Sequence, residues 1–418
     1  MAGFLERVAT AAEAVATLFL PTPLQENAYL SARTGARILL KREDLSPVRS
    51  YKIRGAFNFF RKALGQEPDL ATFVCASAGN HAQGFAFVCR HYGVKGVVFM
   101  PVTTPQQKID KTSHFGGGAV EIRLVGDFFD ETNRAALAFA EVSGGRMVPP
   151  FDHKDVIEGQ ATVALEILAQ MEGQKAPDTI VLPVGGGGLS AGVTRYFAEA
   201  GAPTRFVFAE PAGAPSLHVS LAAGRRVRLA KVDNFVDGAA VAEIGREPFR
   251  HLKGFSPEAV KIVPENRLCT TMIEMLNVEG VVLEPAGALA IDALKDFSKR
   301  ELKGKTIVAV VSGGNFDFER LPDVKERALR FSGLKKYFVF RFPQRPGALR
   351  DFLDLLGPED DIARFEYLKK SARNFGSVLI GIETRDAANF DRLAERFAAA
   401  GWAYQDITED ETIAGLII

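Results

Sequence analysis

The stretch Thr179-Ile180-Val181-Leu182-Pro183-Val184-Gly185-Gly186-Gly187-Gly188-Leu189 is the best guide to the fold of this 418-residue chain. Its first six residues form a short apolar run typical of a buried strand, and a helix is predicted to begin around Ser190. Four glycines are poor linker material in a compact strand–turn–helix unit, but they can wrap backbone N–H groups around an anion at a helix N-terminus. The spacing differs from G-x-G-x-x-G, so it does not indicate a nicotinamide site.

The same alternation of short apolar runs with helix-periodic stretches continues from about Thr72 to Ser312. Each run is bounded by Gly, Pro, Asn or Ser, as buried strands are. The further predicted strands are residues 72–75, 96–100, 120–125, 205–209 and 306–311. Repeated strand-then-helix order predicts an α/β fold in which helices cover both faces of parallel sheets.

The pattern changes near residue 320. A charge-dense segment, residues 319–336, reads as a helix plus a connector. The tail then follows the order βαββαβ of a ferredoxin-like unit, with a short end strand. Its other predicted elements are strand 337–340, helix 347–356, strands 362–368 and 377–382, and helix 388–399. We therefore predict a core over 1–320 with a smaller subdomain at about 50–150, a linker over 321–335, and a second domain over 336–418.

Composition excludes several classes of protein. Lys plus Arg equal Asp plus Glu at 51 each, so no basic field favours nucleic acid or an anionic membrane. No apolar run approaches the ~20 residues of a membrane span. The N-terminus predicts an amphipathic helix and lacks the pattern of a signal peptide. Three widely spaced cysteines suit a reducing compartment, and the six histidines show no ligand spacing. We expect a cytoplasmic protein without a metal site.

Three more segments resemble parts of a ligand site. Ser50 to Ala56 contains Lys52 just before a predicted helix, and Ser77 to Gly84 follows a predicted strand, with Asn80 expected to cap the next helix. Ser312 to Asn315 follows the last core strand. Each has a plain alternative: a solvated lysine, a capped turn and a glycine turn. Because ligands sit at the carboxyl ends of parallel strands, the segments are expected to converge.

Together and in this order, the four segments resemble the fold-type II pyridoxal-phosphate enzymes, whose core is like the tryptophan synthase β-subunit. With its tail, which is similar to an ACT-like regulatory domain, the whole chain resembles the biosynthetic threonine dehydratase (threonine deaminase) family. The resemblance implies pyridoxal 5'-phosphate as cofactor, and L-threonine as substrate with L-serine secondary. The products would be 2-oxobutanoate and ammonia, in the committed step of isoleucine biosynthesis.

The resemblance also implies roles for individual residues. Lys52 would hold the cofactor as a Schiff base and, once freed, act as the base at the substrate's Cα. The other cofactor contacts would be Tyr51 against the ring, Asn80 at the ring oxygen, Gly185, Gly186, Gly187, Gly188 and Leu189 around the phosphate, and Ser312 at the pyridine nitrogen. The substrate carboxylate would be received by Ser77, Gly79, Asn80 and His81. Residues 236–239 and 284–287 match family segments near the cofactor, and the role of Glu284 stays open.

Two positions depart from relatives. Serine racemases of similar sequence carry a second base, a serine, where this chain has Ala78, which favours elimination over racemisation. Relatives that bind a divalent cation have a second acid six residues after the first, whereas Glu210 is followed by Ser216. Two alternatives remain: a serine-preferring ammonia-lyase or racemase, and a non-enzymatic amino-acid sensor built on an inactive core.

In the tail, residues 341–349 (Arg-Phe-Pro-Gln-Arg-Pro-Gly-Ala-Leu) resemble the strand-turn-helix signature of amino-acid-sensing ACT-like domains. Two prolines fix the turn and Gly347 permits close approach at the helix start. Isoleucine is the effector that the resemblance implies, with valine opposing it. The alternative is a dimerisation module that binds no ligand. We expect a homodimer or homotetramer.

Overall fold

The structure is a computed structural model that describes residues 3–367 and 374–410. The chain divides into two compact units, Met1–Asp317 and Phe318–Ile418. Among the described residues, no helix combines the length and the apolar character needed to cross a membrane.

The first unit alternates helices and strands along most of its length. Its helices are α1 (Phe4–Val15), α2 (Ala28–Thr34), α3 (Lys52–Gln66), α4 (Asn80–Tyr92), α5 (Gln106–Gly116), α6 (Phe129–Ser143), α7 (Lys154–Gln160), α8 (Thr162–Gln170), α9 (Gly188–Glu199), α10 (Ser216–Ala222), α11 (Arg246–Leu252), α12 (Glu265–Glu279), α13 (Pro285–Asp292) and α14 (Lys299–Leu302). Its strands are β1 (Leu24–Glu26), β2 (Arg37–Arg42), β3 (Thr72–Ala76), β4 (Lys95–Met100), β5 (Val120–Leu124), β6 (Arg146–Met147), β7 (Thr179–Pro183), β8 (Arg205–Pro211), β9 (Val260–Val263) and β10 (Thr306–Val311). All six predicted core strands and the N-terminal amphipathic helix are confirmed.

The larger sheet has six strands in the order β1-β2-β10-β7-β8-β9. Every residue of β7 is buried, as are five of the six in β10, because helices cover both faces. The predicted parallel sheet is confirmed, with one antiparallel pair added at its edge, where β1 pairs with β2. A three-residue edge strand carries too little pattern to be detected.

The smaller sheet is parallel throughout, in the order β5-β4-β3-β6. Its core includes the stacked rings of Phe60 and Phe73, 3.9 Å apart between centroids. The segments predicted to carry chemistry follow β3, β7 and β10 directly. The larger and smaller sheets therefore each present their carboxyl ends to one group of loops.

The second unit is an antiparallel sheet with helices. Its elements are α15 (Leu321–Phe331), β11 (Lys335–Pro343), α16 (Ala348–Leu353), β12 (Asp361–Tyr367), β13 (Phe375–Glu383), α17 (Asn389–Ala399) and β14 (Tyr404–Asp406). The strand order is β12-β13-β11-β14. Alternate residues Phe338, Phe340 and Phe342 of β11 build its core. The predicted βαββαβ order is confirmed, although residue 368, the end of the second predicted strand of the tail, lies outside the described residues.

The turn predicted in the tail is present. Strand β11 ends at Pro343, and Gly347 precedes α16 with a φ of 85°, a left-handed conformation that favours glycine. The predicted linker over 321–335 holds α15. We propose that the domains have the boundaries expected from the sequence, 1–320, 321–335 and 336–418.

Candidate active site

Lys52 is the first residue of α3 and is held close to the end of β10 by the backbone before it. The N–H of Tyr51 donates to the carbonyl of Ser312 at 3.2 Å, and Ser50 forms an isolated β-bridge with Gly313. The Lys52 Nζ donates to the Pro150 carbonyl at 3.1 Å. The rings of Tyr51 and Phe151 lie 5.4 and 5.9 Å from this nitrogen. The amine is thus fixed among aromatic groups rather than solvated.

Burial changes the chemistry of this amine. It lowers the pKa of Lys52 from 10.5 to about 8, although the nearby Glu284 opposes the shift. A nucleophilic lysine has to be neutral to attack a carbonyl, and desolvation is the usual way in which proteins bring this about. Lys52 therefore has the property that the sequence analysis required of it.

The tetraglycine forms the predicted turn between β7 and α9. Gly187 has a φ of 84°, and a Cβ on Gly186 would lie only 2.2 Å from the Phe151 ring. The first helical backbone bond runs from the Ala191 N–H to the Gly187 carbonyl, which leaves the preceding N–H groups outside the helical ladder. The hydroxyl of Ser190, in the same turn, is buried without a hydrogen-bond partner among the described residues. These donors suit a phosphate.

The loop after β3 begins α4 differently from the prediction. Gly79, not Asn80, occupies the N-cap position, and the Asn80 side chain is used elsewhere, so the predicted capping role was wrong. The hydroxyl of Ser77 accepts a hydrogen bond from the Gly79 N–H at 3.2 Å. The first helical bond is donated by the Gln83 N–H, so the N–H groups of Asn80 and His81 precede the ladder. They are suited to a carboxylate, as predicted for this loop.

The His81 ring is a structural group in this arrangement. Its Nε2 lies 2.9 Å from the Val148 carbonyl, which can only accept, so Nε2 carries the hydrogen. Burial, with Lys52 nearby, lowers the pKa of His81 to about 3. The ring is therefore neutral, and only the backbone of His81 is placed to meet an anion.

Asn80 joins two distant segments. Its Nδ2 donates to Glu284 Oε1 at 2.6 Å, and its Oδ1 accepts from Asn315 Nδ2 at 2.8 Å. Burial, and the charge of Asp237 after it, raise the pKa of Glu284 to about 7. A Cβ on Gly313 would lie 2.1 Å from Glu284 Oε1, so glycine is needed there to seat the carboxyl group. Glu284, whose role the sequence left open, lies within the site.

Ser312 and the two family-like segments complete the cluster. The Ser312 hydroxyl is buried and donates to the Ala286 carbonyl at 3.2 Å. A Cβ on Gly238 would lie 2.8 Å from the Ala286 side chain, and one on Gly185 would lie 2.9 Å from Ala239. Residues 236–239 thus pack against both the tetraglycine and residues 284–287.

Sequence reasoning missed three contributors to this site. Pro150 and Phe151 contact Lys52, and Asn315 holds Asn80, yet none was given a role. For Pro150 and Phe151 the available signal was their place between a strand and a helix, where loops of α/β folds carry ligand contacts. Asn315 was quoted within Ser312 to Asn315, but its partner lies 235 positions away in the chain.

The region of Glu210 is occupied by backbone donors. The Glu210 carboxyl accepts from the N–H groups of Leu217 at 2.7 Å and His218 at 2.9 Å, and the Ser216 hydroxyl lies at 3.5 Å. Among residues 3–367 and 374–410, no group of three His, Cys, Asp or Glu side chains is placed to hold a metal ion. No cation chemistry is assigned here.

The cluster suits the cofactor expected from the sequence. A buried amine of lowered pKa suits an aldehyde, and a glycine turn with an unpartnered buried hydroxyl suits a phosphate. An amide and a serine hydroxyl lie near the same cluster and suit the polar atoms of a pyridine ring. The donors therefore fit pyridoxal phosphate.

Comparison with known proteins supports the cofactor expected at this site. Residues 15–313 match the family of pyridoxal-phosphate dependent enzymes, and residues 326–417 match the C-terminal regulatory domain of threonine dehydratase. The chain is 46% identical over 415 residues to the biosynthetic L-threonine dehydratase IlvA of Bacillus subtilis, covering 99% of this chain and 97% of that protein.

Two solved structures show the same core. Threonine deaminase isoform 2 of Solanum lycopersicum matches with a TM-score of 0.71 and 36% identity, covering 78% of this chain and 88% of that one. Maize serine racemase matches with a TM-score of 0.69 and 26% identity, covering 78% and 98%. The predicted fold-type II core and ACT-like tail are thereby confirmed. This chain belongs to the biosynthetic threonine dehydratase family of pyridoxal-phosphate-dependent enzymes.

Proposed function

We propose that this protein dehydrates and deaminates L-threonine to 2-oxobutanoate and ammonia, the committed step of isoleucine biosynthesis. The observation that carries the proposal is Lys52, an amine whose pKa burial lowers to about 8 and which lies beside Phe151, whose ring also packs on the glycine turn suited to phosphate. Membership in the threonine dehydratase family, over nearly the whole chain, supports the choice of substrate. L-serine is the expected secondary substrate.

Several residues would hold the cofactor. Lys52 would bind its aldehyde carbon, residues 185–189 with Ser190 its phosphate, Asn80 its ring oxygen and Ser312 its ring nitrogen, with Tyr51 against the ring. When bound, pyridoxal phosphate supplies a carbonyl that condenses with amines and a ring system that delocalises negative charge from Cα. The backbone donors of residues 77–81 would receive the substrate carboxylate.

Lys52 is the residue that would remove the proton from Cα of the substrate. With a pKa of about 8, a large fraction of this amine is neutral near that pH and can accept the proton as general base. Ser312 would offer the ring nitrogen a hydroxyl and not a carboxylate, so it would supply no negative charge to hold a proton there. Ala78 offers no base on the opposite face of Cα, which supports loss of the β-hydroxyl over racemisation.

A serine-preferring lyase or racemase is the second candidate, because the fold is shared with maize serine racemase. Ala78 argues against racemisation, but no observation on the site separates threonine from serine. Rates on L-threonine, L-serine and D-serine distinguish these activities.

The proposal is tested by 2-oxobutanoate production from L-threonine, with isoleucine varied. Lys52→Ala is expected to lose at least about 10³-fold in kcat, since both the cofactor anchor and the base are removed. Lys62→Ala is the matched control, a partly exposed lysine on the same helix that pairs with Asp155 and Glu158, and it is expected to keep wild-type turnover. Wild-type turnover by Lys52→Ala would overturn the mechanism.

Regulation, assembly and location complete the proposal. A C-terminal regulatory domain of threonine dehydratase type supports feedback control, with isoleucine as inhibitor and valine as its opponent. Activity unchanged by isoleucine would leave the tail as an assembly module only. We expect a homodimer or homotetramer in the cytoplasm, where the buried thiols of Cys75, Cys89 and Cys269 stay reduced.

A further inference from the structure

A chain of side-chain amides runs into the active site from a backbone carbonyl. Asn315 Nδ2 donates to the Val48 carbonyl at 2.8 Å and to Asn80 Oδ1 at 2.8 Å. Asn80 Nδ2 then donates to Glu284 Oε1 at 2.6 Å. The links join segments 204, 235 and 267 positions apart in the sequence, so this chain exists only in the folded protein.

The direction of every bond in this chain follows from its first member. A side-chain amide can be turned over without changing its shape, so its orientation is decided by its partners. The Val48 carbonyl has no hydrogen to donate and must face a nitrogen. Asn315 therefore presents its Nδ2, and the second hydrogen of that nitrogen requires an oxygen, which Asn80 supplies.

The orientation of Asn80 is fixed by this requirement. With Oδ1 turned to Asn315, the Nδ2 of Asn80 faces Glu284, whose Oε1 accepts whether or not the other carboxyl oxygen carries a proton. One of the two hydrogens on Nδ2 is used in this bond. The second remains for an acceptor oxygen of a ligand, such as the ring oxygen expected beside Asn80.

The chain is also maintained at a cost. Asn315 Oδ1 is buried and has no hydrogen-bond partner among the described residues. Turning Asn315 over would satisfy neither amide atom better, because its oxygen would then face the Val48 carbonyl. A buried acceptor left unpaired is uncommon and weakens the folded state. Its presence beside a ligand site points to a role beyond holding the segments together.

We propose that Asn315 and Glu284 are positioning residues, which together fix the Asn80 amide with an N–H directed to the cofactor's ring oxygen. The inference rests on the proposed function, since it assigns the partner of Asn80 in the bound state. Neither residue is required to touch the substrate. Both act by removing the flipped orientation of Asn80, in which an oxygen would oppose the ring oxygen.

The test measures cofactor binding and its visible absorption, as well as turnover. Asn315→Asp keeps the shape but cannot donate to Val48 or Asn80, and we expect about tenfold weaker binding of pyridoxal phosphate. We also expect a shifted pH midpoint of the absorption band. Asn58→Leu is the control. The buried Asn58 donates to the backbone carbonyl of Asp155 and to the side chain of Glu158, so it makes the same kinds of bond away from the site.

The outcomes separate a positioning role from a structural one. If Asn315→Asp loses only stability, as Asn58→Leu is expected to do, with unchanged cofactor affinity and absorption, the proposal is overturned. Should Asn315→Asp fail to fold, Glu284→Leu and Glu284→Gln ask the same question from the other end. Leucine removes the acceptor and should reproduce the spectral shift. Glutamine retains an acceptor and should give the wild-type spectrum. If Glu284→Leu and Glu284→Gln have the same spectrum, the proposal is refuted.

The proposed function has a separate failure. A wild-type protein that forms no visible band with pyridoxal phosphate, or no 2-oxobutanoate, would reject the function. An active wild type whose variants are spectrally unchanged would reject only the positioning role.

Discussion

Two buried polar clusters meet at the start of α3, and they differ in how completely their groups are paired. Arg54 lies in one of them, fully buried, and donates to both oxygens of Glu43 and both oxygens of Glu166 at 2.6 to 2.9 Å. Lys41 joins the same cluster through Glu166 at 2.5 Å. The Lys52 amine, two residues before Arg54, donates to the Pro150 carbonyl and to no other acceptor among the described residues.

The difference separates structural from chemical use of buried polarity. Around Arg54 two cations meet two carboxylates, and the neighbouring threonine hydroxyls complete the bonding. Burial shifts the pKa values of Lys52 and Glu284 towards neutrality, and it also lowers that of Lys41 in the first cluster. The contrast lies in pairing, because among the described residues the Ser190 hydroxyl and the Asn315 oxygen lack partners. Groups left incompletely paired in a folded protein are available to a ligand. Three experiments test this contrast.

The largest effect is expected where the paired cluster is broken. Arg54→Met removes the guanidinium that pairs with the buried Glu43 and Glu166 and should lower the free energy of unfolding by about 3–5 kcal/mol. Arg61→Met, on the same helix but partly exposed, is the control and should cost less than about 1 kcal/mol. Denaturant unfolding measures both. Equal losses would remove the distinction between the clusters.

In the cofactor-free protein, Lys52 should instead make the free energy of unfolding depend on pH. Because its folded pKa of about 8 lies below the ordinary 10.5, the unfolded chain binds the proton first as pH falls. Stability from this group is thus present above about pH 10.5 and lost as pH falls to about 8, by up to about 3 kcal/mol. The difference in unfolding free energy between wild type and Lys52→Met should show this slope. A constant difference across that window would contradict the lowered pKa.

The smallest effect is expected at Ser190. Ser190→Ala removes a buried hydroxyl that has no partner in the part of the chain that the structure describes, so stability should stay the same or rise by up to about 1 kcal/mol. Binding of pyridoxal phosphate should weaken about tenfold through the loss of one phosphate contact. Ser220→Ala is the control, because its buried hydroxyl is paired with Ser216 and Val227 and should cost about 1 kcal/mol on unfolding. Unchanged cofactor affinity in Ser190→Ala would place the phosphate elsewhere.

Much of the fold was predictable because its signals are local. Strands such as β7 and β10 are uninterrupted apolar runs, and β11 alternates Phe338, Phe340 and Phe342. Strand β2 was missed because Arg37 on one side and Lys41 and Arg42 on the other leave it a short apolar run of residues 38–40. Lys41 is nevertheless buried in this strand, since Glu166 neutralises it from a helix 125 positions away. No local pattern contains that information.

The amino-acid sequence alone was sufficient to assign the class of this protein. The signals were the alternation of strands and helices in the core, the order of elements in the tail, and the motifs that contain Lys52 and the four glycines. Each depends on short segments whose backbone preferences and apolar periodicity act locally. Only the tertiary structure decided which polar groups are paired and which are left for chemistry. Gly79 replaced Asn80 as the helix cap, and Asn80 turned to Glu284 and Asn315 instead. Such choices depend on burial and on partners brought together from distant parts of the chain, which change both the pKa of Lys52 and the direction of the Asn80 amide.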